Sequence, residues 1–390
     1  MFLNFGLVLT FYVFLSYILR LPVARSLKLV LMVLTFASAA RIWILRGIYG
    51  GLGGIECDKW LLYVTSFFQS LVIMLFLLSF FRDLAWLLSF LTGKSVGKAV
   101  RHALNGGAAA LVMLGLAAVL DLAGLVGAAK VPEVRAREIT VGAWPAALDG
   151  FKVAVLGDMH ISKFFDAGWV GSAVDRTMAE KPEMILLPGD MVDGSVEARR
   201  DDVAPLAGLS APYGVWACVG NHEYISQLAE WLPVFQNLGL NILYNSHVLV
   251  APRGVPLVVA GLADLTALGP RYNLPGPDLE LALEGAPDEV PVVLLEHRPV
   301  RARMNAEDKR VALQLSGHTH GGMMPILSSA VKKMNGGFVT GGYQVGGLSL
   351  FVQPGLGLWA GFPVRLFSPS EITILTIRSA AVAGGRGRSG

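Results

Sequence analysis

Between residues 60 and 81 the chain carries no charged side chain. A run of that length crosses about 30 Å of hydrocarbon as a helix. Inside lipid, every backbone N–H and C=O must be satisfied within the protein, which for an isolated run means a helix. Three further apolar stretches precede residue 130. Residues 2–19 are uncharged and end at Arg20, residues 29–45 are interrupted only by Arg41, and residues 103–129 are rich in Ala, Gly and Leu around Asp121. Arg41 lies near the end of its stretch, where it can snorkel to the interface. Asp121 is read as a carboxylate facing the helix bundle, because no acid or base accompanies it. Residues 84–91 are too short to span and read as an interfacial piece. The expectation is an α-helical membrane region of about four spans over residues 1–130.

Composition agrees. Of the 390 residues, 54% are hydrophobic and 16% are charged. That balance is too apolar for an ordinary soluble protein. The net charge of +3, with no long basic run, excludes nucleic acid as a partner and leaves the lipid bilayer. The two cysteines, Cys57 and Cys218, support neither a disulfide framework nor a cysteine zinc motif. Orientation follows from Lys and Arg in the short loops. The first loop holds Arg20, Arg25 and Lys28; the third holds Arg82, Lys94, Lys98 and Arg101; the second holds Arg41, Arg46 and Lys59, two of them inside or flanking a span. The first and third loops are therefore assigned to the cytoplasm. Four spans then describe a multi-pass protein of the cell membrane with its C-terminal domain on the extracytoplasmic side.

From Val131 the composition changes. Residues 131–150 read as a linker, 151–379 as an α/β domain, and the Gly-, Arg- and Ser-rich residues 380–390 as a disordered tail. Strand-length apolar runs fall at 152–156, 184–187, 214–219, 241–244, 257–260, 292–295, 312–315 and 371–377. Helical patterning lies between some of them, at 168–180 and 225–238. Strands alternating with helices indicate an α/β domain. The Gly-rich residues 324–346 read as a loop over the site.

Polar residues gather where apolar strands end. The series is Gly157-Asp158-Met159-His160, Gly189-Asp190-Met191-Val192-Asp193-Gly194, Gly220-Asn221-His222-Glu223, Glu296-His297-Arg298-Pro299 and Gly317-His318-Thr319-His320-Gly321-Gly322. In open α/β sheets the C-terminal strand ends form the site crevice, so five loops distant in sequence can converge there. Five of the seven histidines lie in these loops. Imidazole and carboxylate donors suit Zn, Mn or Fe. One such tetrapeptide is weak evidence; five in order, each at a strand end, are specific.

The series resembles the calcineurin-like metallophosphoesterase superfamily over residues 151–377, and membrane spans before a domain containing GHTHGG are similar to its bacterial integral-membrane branch. The resemblance implies a four-layer α/β/β/α sandwich with a dinuclear centre of two divalent metal ions. It implies that Asp158, His160 and His320 bind the first ion, that Asp190 bridges both, and that Asn221, His297 and His318 complete the second. His222 would be unligated and catalytic, stabilising the transition state or protonating the leaving oxygen. Asp193 and Glu223 would act behind the ligands. Arg298 has two readings, a phosphate contact or a surface charge. Met323 after GHTHGG, where many relatives carry Gln, and Glu223 after His222 depart from the family pattern without removing a ligand. The implied reaction is hydrolysis of a phosphomonoester, phosphodiester or pyrophosphate bond by water activated between two cations. The membrane anchor suggests a lipid-linked substrate. The alternatives are a catalytically weak metal-binding scaffold or partner-binding protein, and a transport role for the spans.

Overall fold

The computed structural model describes residues 2–51, 54–359, 361 and 364–382. The disordered tail expected at 380–390 lies outside the described residues from 383 onward. The chain divides into two compact units. One comprises Met1–Gly50, Ile55–Gly127 and Ala360–Val364; the other comprises Gly51–Gly54, Ala128–Trp359 and Arg365–Gly390.

The first unit is helical: Phe2–Ser16, Arg25–Ala39, Arg41–Tyr49, Lys59–Leu88, Lys94–Asn105 and Gly107–Ala129. Among the described residues, two elements are long and apolar enough to cross a membrane, Lys59–Leu91 and Gly107–Ala129, and a third only if the bent pair Arg25–Ala39 and Arg41–Tyr49 is one span. The expected count of four is therefore corrected to two or three. The stretch at 2–19 ends its α-helix at Ser16 after 15 residues, about 22 Å of rise. The stretch at 29–45 breaks at Ala40, and the chain turns by 68°. Arg41 starts the new helix and does not snorkel. It is buried, and its guanidinium donates to Thr65 Oγ1 (3.2 Å), Ser66 Oγ and Gln69 Oε1. The helix Lys59–Leu88 gathers the hydroxyls and amide that hold this charge, so burial replaces exposure at the interface.

Residues 84–91 are not a separate interfacial piece. They continue the Lys59–Leu88 helix into a single 3₁₀ turn, Ser89–Leu91. Within this helix Asp83 pairs with Arg82 (2.7 Å) and Arg20 (3.2 Å) and accepts from Tyr12 Oη (2.9 Å). The stretch at 103–129 loses its first turn at Gly106, and the final helix starts at Gly107. Asp121 is fully buried, as a bundle-facing carboxylate should be.

The second unit holds two six-stranded sheets. The first contains β1 (Glu133–Val141), β2 (Phe151–Val155), β3 (Met184–Pro188), β4 (Val215–Cys218), β5 (Asn241–Ile242) and β12 (Glu371–Ser379), in the order β1-β12-β2-β3-β4-β5. The second contains β6 (Ser246–Val250), β7 (Leu257–Gly261), β8 (Val292–Leu295), β9 (Val311–Ser316), β10 (Gly341–Val345) and β11 (Leu348–Val352), in the order β10-β11-β9-β8-β7-β6. Phe151, Val153, Val155 and Leu186 from the first sheet share one core with Leu257, Val259, Val293, Leu295, Leu313 and Leu315 from the second. Val258, Ala260, Val292 and Leu294 point the other way, into a second core with Ala282, Ala302 and Phe338. Burial on both faces explains the near-continuous apolar runs of these strands.

Three expectations change here. Residues 131–150 are not a free linker, because β1 pairs in parallel with β12 from Glu133↔Glu371 to Val141↔Ser379. The Gly-rich segment is not a loop; it forms the helix Pro325–Met334 and the hairpin β10–β11 across Gly346 and Gly347. A glycine run does not exclude a strand where a neighbouring strand supplies the ladder. The helix expected at 225–238 is two, Asn221–Ile225 and Leu228–Asn237, interrupted at Gln227 with φ 72°.

Strands β2, β3 and β4 run parallel, and so do β7, β8 and β9. Their C-terminal ends, and the polar loops that follow, therefore gather along common edges. Phe151 is fully buried in the shared core, whereas Leu249 is 52% exposed. Phe151→Ala should cost about 3–5 kcal/mol, and Leu249→Ala within about 0.5 kcal/mol of zero. Thermal melts of the detergent-solubilised full chain check this; equal shifts would refute the assignment of the core.

Candidate metal centre

Each candidate side chain is placed by the loop that ends its strand. The first two loops are zipped together: Asp158 N donates to Gly189 O (3.1 Å), His160 N to Asp190 O (3.0 Å) and Ile161 N to Met191 O (3.0 Å). Glu223 ties in the third, accepting from Gly220 N (2.7 Å), Asp190 N (2.9 Å) and Met191 N (2.6 Å). His318 N donates to both Asp158 oxygens at 3.0 Å, which joins the last loop to the first.

The contacts leave no room at two glycines. A Cβ on Gly220 would lie 2.2 Å from Asp190 Oδ1, and one on Gly317 would lie 2.5 Å from Asp158 Oδ2. Asp158, Asp190, His160, His318 and His320 all hold positive φ, between 47° and 70°. Such backbone is unfavourable for non-glycine residues and persists only where surrounding contacts hold it.

Among the described residues the donor atoms converge in three groups, two of which match the pair of ion sites expected from the sequence. Asp158, His160 and His320 form one; Asp190, His297 and His318 form the other. In the first, His160 Nε2 lies 3.2 Å from His320 Nε2, and His320 Nε2 lies 3.8 Å from Asp158 Oδ1. In the second, His297 Nε2 lies 3.1 Å from Asp190 Oδ2, 3.2 Å from Asn221 Oδ1 and 3.2 Å from His318 Nδ1. The same Asp190 Oδ2 is 3.7 Å from His160 Nε2, so one oxygen faces both groups.

These residues fit divalent cations. Two donors each about 2.1 Å from one ion lie about 3–3.4 Å apart at tetrahedral or octahedral angles. Lone pairs aimed at one another over these distances repel without a cation or a proton between them. The ring of His297 is oriented for the task, since its Nδ1–H donates to Pro188 O (2.8 Å) and leaves Nε2 facing the cleft. The buried charges perturb one another strongly. Burial alone lowers the His297 pKa, but the Asp190 and Asp158 carboxylates push it up to about 10. His318 and His320 sit well below the ordinary imidazole range through burial, helped by the nearby His297 and His160 rings respectively.

His222 lies outside these two groups and forms the third with His160 and Asp193. Its Nδ1 contacts Asp193 Oδ1, and Asp193 is also 3.3 Å from His160 Nδ1. Burial opposes charge on His222, but Asp193 and Asp190 outweigh it and push its pKa up to about 9. Arg298 proves to be neither a free surface charge nor a free phosphate ligand: it pairs with buried Asp264 (2.8 Å) and bonds Thr266 Oγ1 (2.8 Å).

Two neighbours escaped the sequence reading. Trp359 places its ring 6.4 Å from that of His222. Arg365 is buried and donates to His320 O (3.2 Å), Pro354 O (2.8 Å) and Gly357 O (2.9 Å). Both come from the segment between β11 and β12, which contains no His, Asp or strand-end tetrapeptide to mark it.

The calcineurin-like phosphoesterase family model matches residues 151–322. The chain is 32% identical over 306 residues to a bovine "Transmembrane protein with metallophosphoesterase domain", covering 75% of this chain and 68% of that one. The chain belongs to the calcineurin-like phosphoesterase family. A zebrafish protein of the same description is 33% identical over 271 residues, 68% of this chain and 62% of its own length. An uncharacterised metallophosphoesterase of Bacillus subtilis is 30% identical over 245 residues, 60% of this chain and 82% of its own. Relatives from animals and bacteria match alike, so the bacterial branch is not singled out. The chain spans about three fifths of the length of the zebrafish relative.

Glu223→Gln tests the frame behind the ligands, because it turns an amide toward backbone donors that need an acceptor. A loss of about 1–3 kcal/mol is expected, with bound Mn²⁺ weakened about 10–100-fold. Thermal melts and ion content after dialysis against Mn²⁺ read the two effects, and unchanged values in both would refute the role of Glu223.

Proposed function

We propose that this phosphoesterase is a membrane-anchored hydrolase of phosphate esters that uses two divalent cations. The observation that carries this reading is the pair of His/Asp groups sharing the Asp190 oxygen. Asp158, His160 and His320 would hold one cation, and Asn221, His297 and His318 the other, with Asp190 between them. Mn, Zn and Fe all accept such donors. Cations so placed supply a Lewis acid that acidifies water and neutralises phosphoryl charge.

The chain's own residues do the rest. Asn221 offers a neutral oxygen, which keeps the cleft attractive to an anion. Asp193 holds Nδ1 of His222 and stabilises its charged form, leaving Nε2–H to donate to the phosphoryl or leaving oxygen. Trp359 lies beside His222, where a leaving group would emerge. The substrate is a phosphomonoester, phosphodiester or pyrophosphate, and the membrane helices favour a lipid-linked one.

The side of the membrane depends on the last span alone. Lys94, Lys98 and Arg101 precede the helix Gly107–Ala129, and the bias of basic residues toward the cytoplasm places the second unit outside it. An impermeant thiol reagent should therefore label Glu284→Cys in intact cells, since Cys57 and Cys218 are buried. Labelling only after lysis would reverse the placement.

The reaction itself is tested with the purified full chain, an aryl phosphodiester and an aryl phosphomonoester, each with Mn²⁺, Zn²⁺ or chelator. Turnover should vanish with chelator and return with metal. Asp190→Ala should reduce it to background, and His222→Ala should lower kcat about 10²–10⁴-fold. Chelator-resistant turnover, or undiminished rates in both variants, would sink the mechanism. Metal binding without turnover on any ester would favour a binding scaffold.

A further inference from the structure

We propose that the helix Pro325–Met334 and Phe367 form a docking surface for an anionic bilayer, mounted on the turn that carries His320. The inference stands apart from the hydrolase reading, because it concerns the surface beside the centre.

The helix buries none of its residues. Ile326 is 42% exposed, Met334 is 74% exposed, and Ala330 between them is exposed. Their spacing of four places all three on one helical stripe. Leu327, Ser328 and Val331, on other faces, are only partly exposed. Lys332 and Lys333 are exposed in the last turn. Favourable placement at a helix C-terminus accounts for the lysines but not for the apolar stripe. Lys333 borders the stripe, whereas Lys332 lies on another face; an apolar stripe bordered by Lys is a pattern of a helix lying in a membrane interface.

Phe367 is an independent observation. It is 82% exposed and holds φ +57°, an outlier for a bulky aromatic residue. Its neighbours are anchored. Leu366 N donates to Met323 O (3.0 Å), and Ser368 Oγ donates to Gly321 O (2.9 Å). The helix starts from the same turn, with Leu327 N and Ser328 N both donating to Met324 O. A strained, exposed Phe and an exposed apolar stripe on one support mark an interaction surface rather than scattered exposure.

Charge points to the occupant. Lys332 and Lys333 are the exposed charges of the helix, and residues 311–370 contain no Asp or Glu to offset them. Two exposed lysines without acidic neighbours in sequence, beside an exposed apolar stripe, complement anionic lipid headgroups. The chain also carries at least two helices able to cross a membrane, so a bilayer is tethered to this surface at high effective concentration.

The test uses the full chain reconstituted in vesicles of phosphatidylcholine, with or without phosphatidylglycerol. An environment-sensitive dye on Ala330→Cys is read against lipid-borne doxyl quenchers, with Glu284→Cys in an exposed acidic turn as reference; both native cysteines are buried. Quenching at position 330 should exceed the reference several-fold in phosphatidylglycerol vesicles. It should fall toward the reference with Lys332→Glu/Lys333→Glu and, separately, with Met334→Ser/Phe367→Ser. Quenching no greater than the reference overturns the proposal, as does quenching indifferent to phosphatidylglycerol and to charge reversal. Excimer emission from pyrene at Ala330→Cys would overturn it in favour of a second copy of the chain. Hydrolysis of a soluble ester in the same vesicles reads the metal centre separately, so either idea can fail alone.

Discussion

The Glu223 carboxylate accepts hydrogen bonds from the backbone of Gly220, Asp190, Met191 and Val192. It joins the loop after β3 to the loop after β4. Those two loops carry Asp190, Asp193, Asn221 and His222, so four candidate site residues depend on one buried side chain that does not itself belong to either donor group. The loops need such support. Asp190 sits on left-handed backbone, and its carboxylate faces the lone pair of His297 over little more than 3 Å. Neither feature survives in a chain free to relax, and the rigid strand ends together with the Glu223 staple deny it that freedom.

Around the donors lies a second ring of buried groups with distinct tasks. Pro188 O orients His297, Asp193 orients both His160 and His222, and Arg365 fixes the segment above His320. Asp264 draws Arg298 sideways into an ion pair, although the sequence places that arginine next to His297. Adjacent residues in one motif can therefore serve different purposes, one facing the cleft and the other tying two loops together.

The helical unit follows the same physics in a different solvent. Arg41 is enclosed by hydroxyls and an amide of a neighbouring helix, and partly buried Asp83 is paired with Arg82 and Arg20 and bonded by Tyr12. Burying a charge is tolerable only when its donors or acceptors are satisfied. One apolar stretch bends at Ala40, and another helix continues through Arg82 and Asp83. Among the described residues, the bend at Ala40 and the shortness of the first helix leave two or three candidate spans.

Much was legible in the chain itself. Apolar runs of strand length located β2, β3, β4, β7, β8 and β9, because strands buried on both faces tolerate few polar residues. The strand-end position of the His- and Asp-bearing motifs identified every member of the two donor groups. Elements held by partners rather than by their own pattern were not legible. β1 is mostly exposed and exists through its pairing with β12, while β10 is a Gly-rich strand supported by β11. Trp359 and Arg365 reach the centre from a segment without any periodic or motif signal. Sequence by itself determined the chemistry of the donor atoms, since residue type decides which atoms can bind a metal, and the presence of helices apolar enough to cross a membrane, since apolar length does. Tertiary structure alone decided which oxygen faces both groups, which charges are neutralised and which apolar stretches remain whole. Those outcomes depend on distances between residues far apart in the chain, and no local pattern encodes such distances.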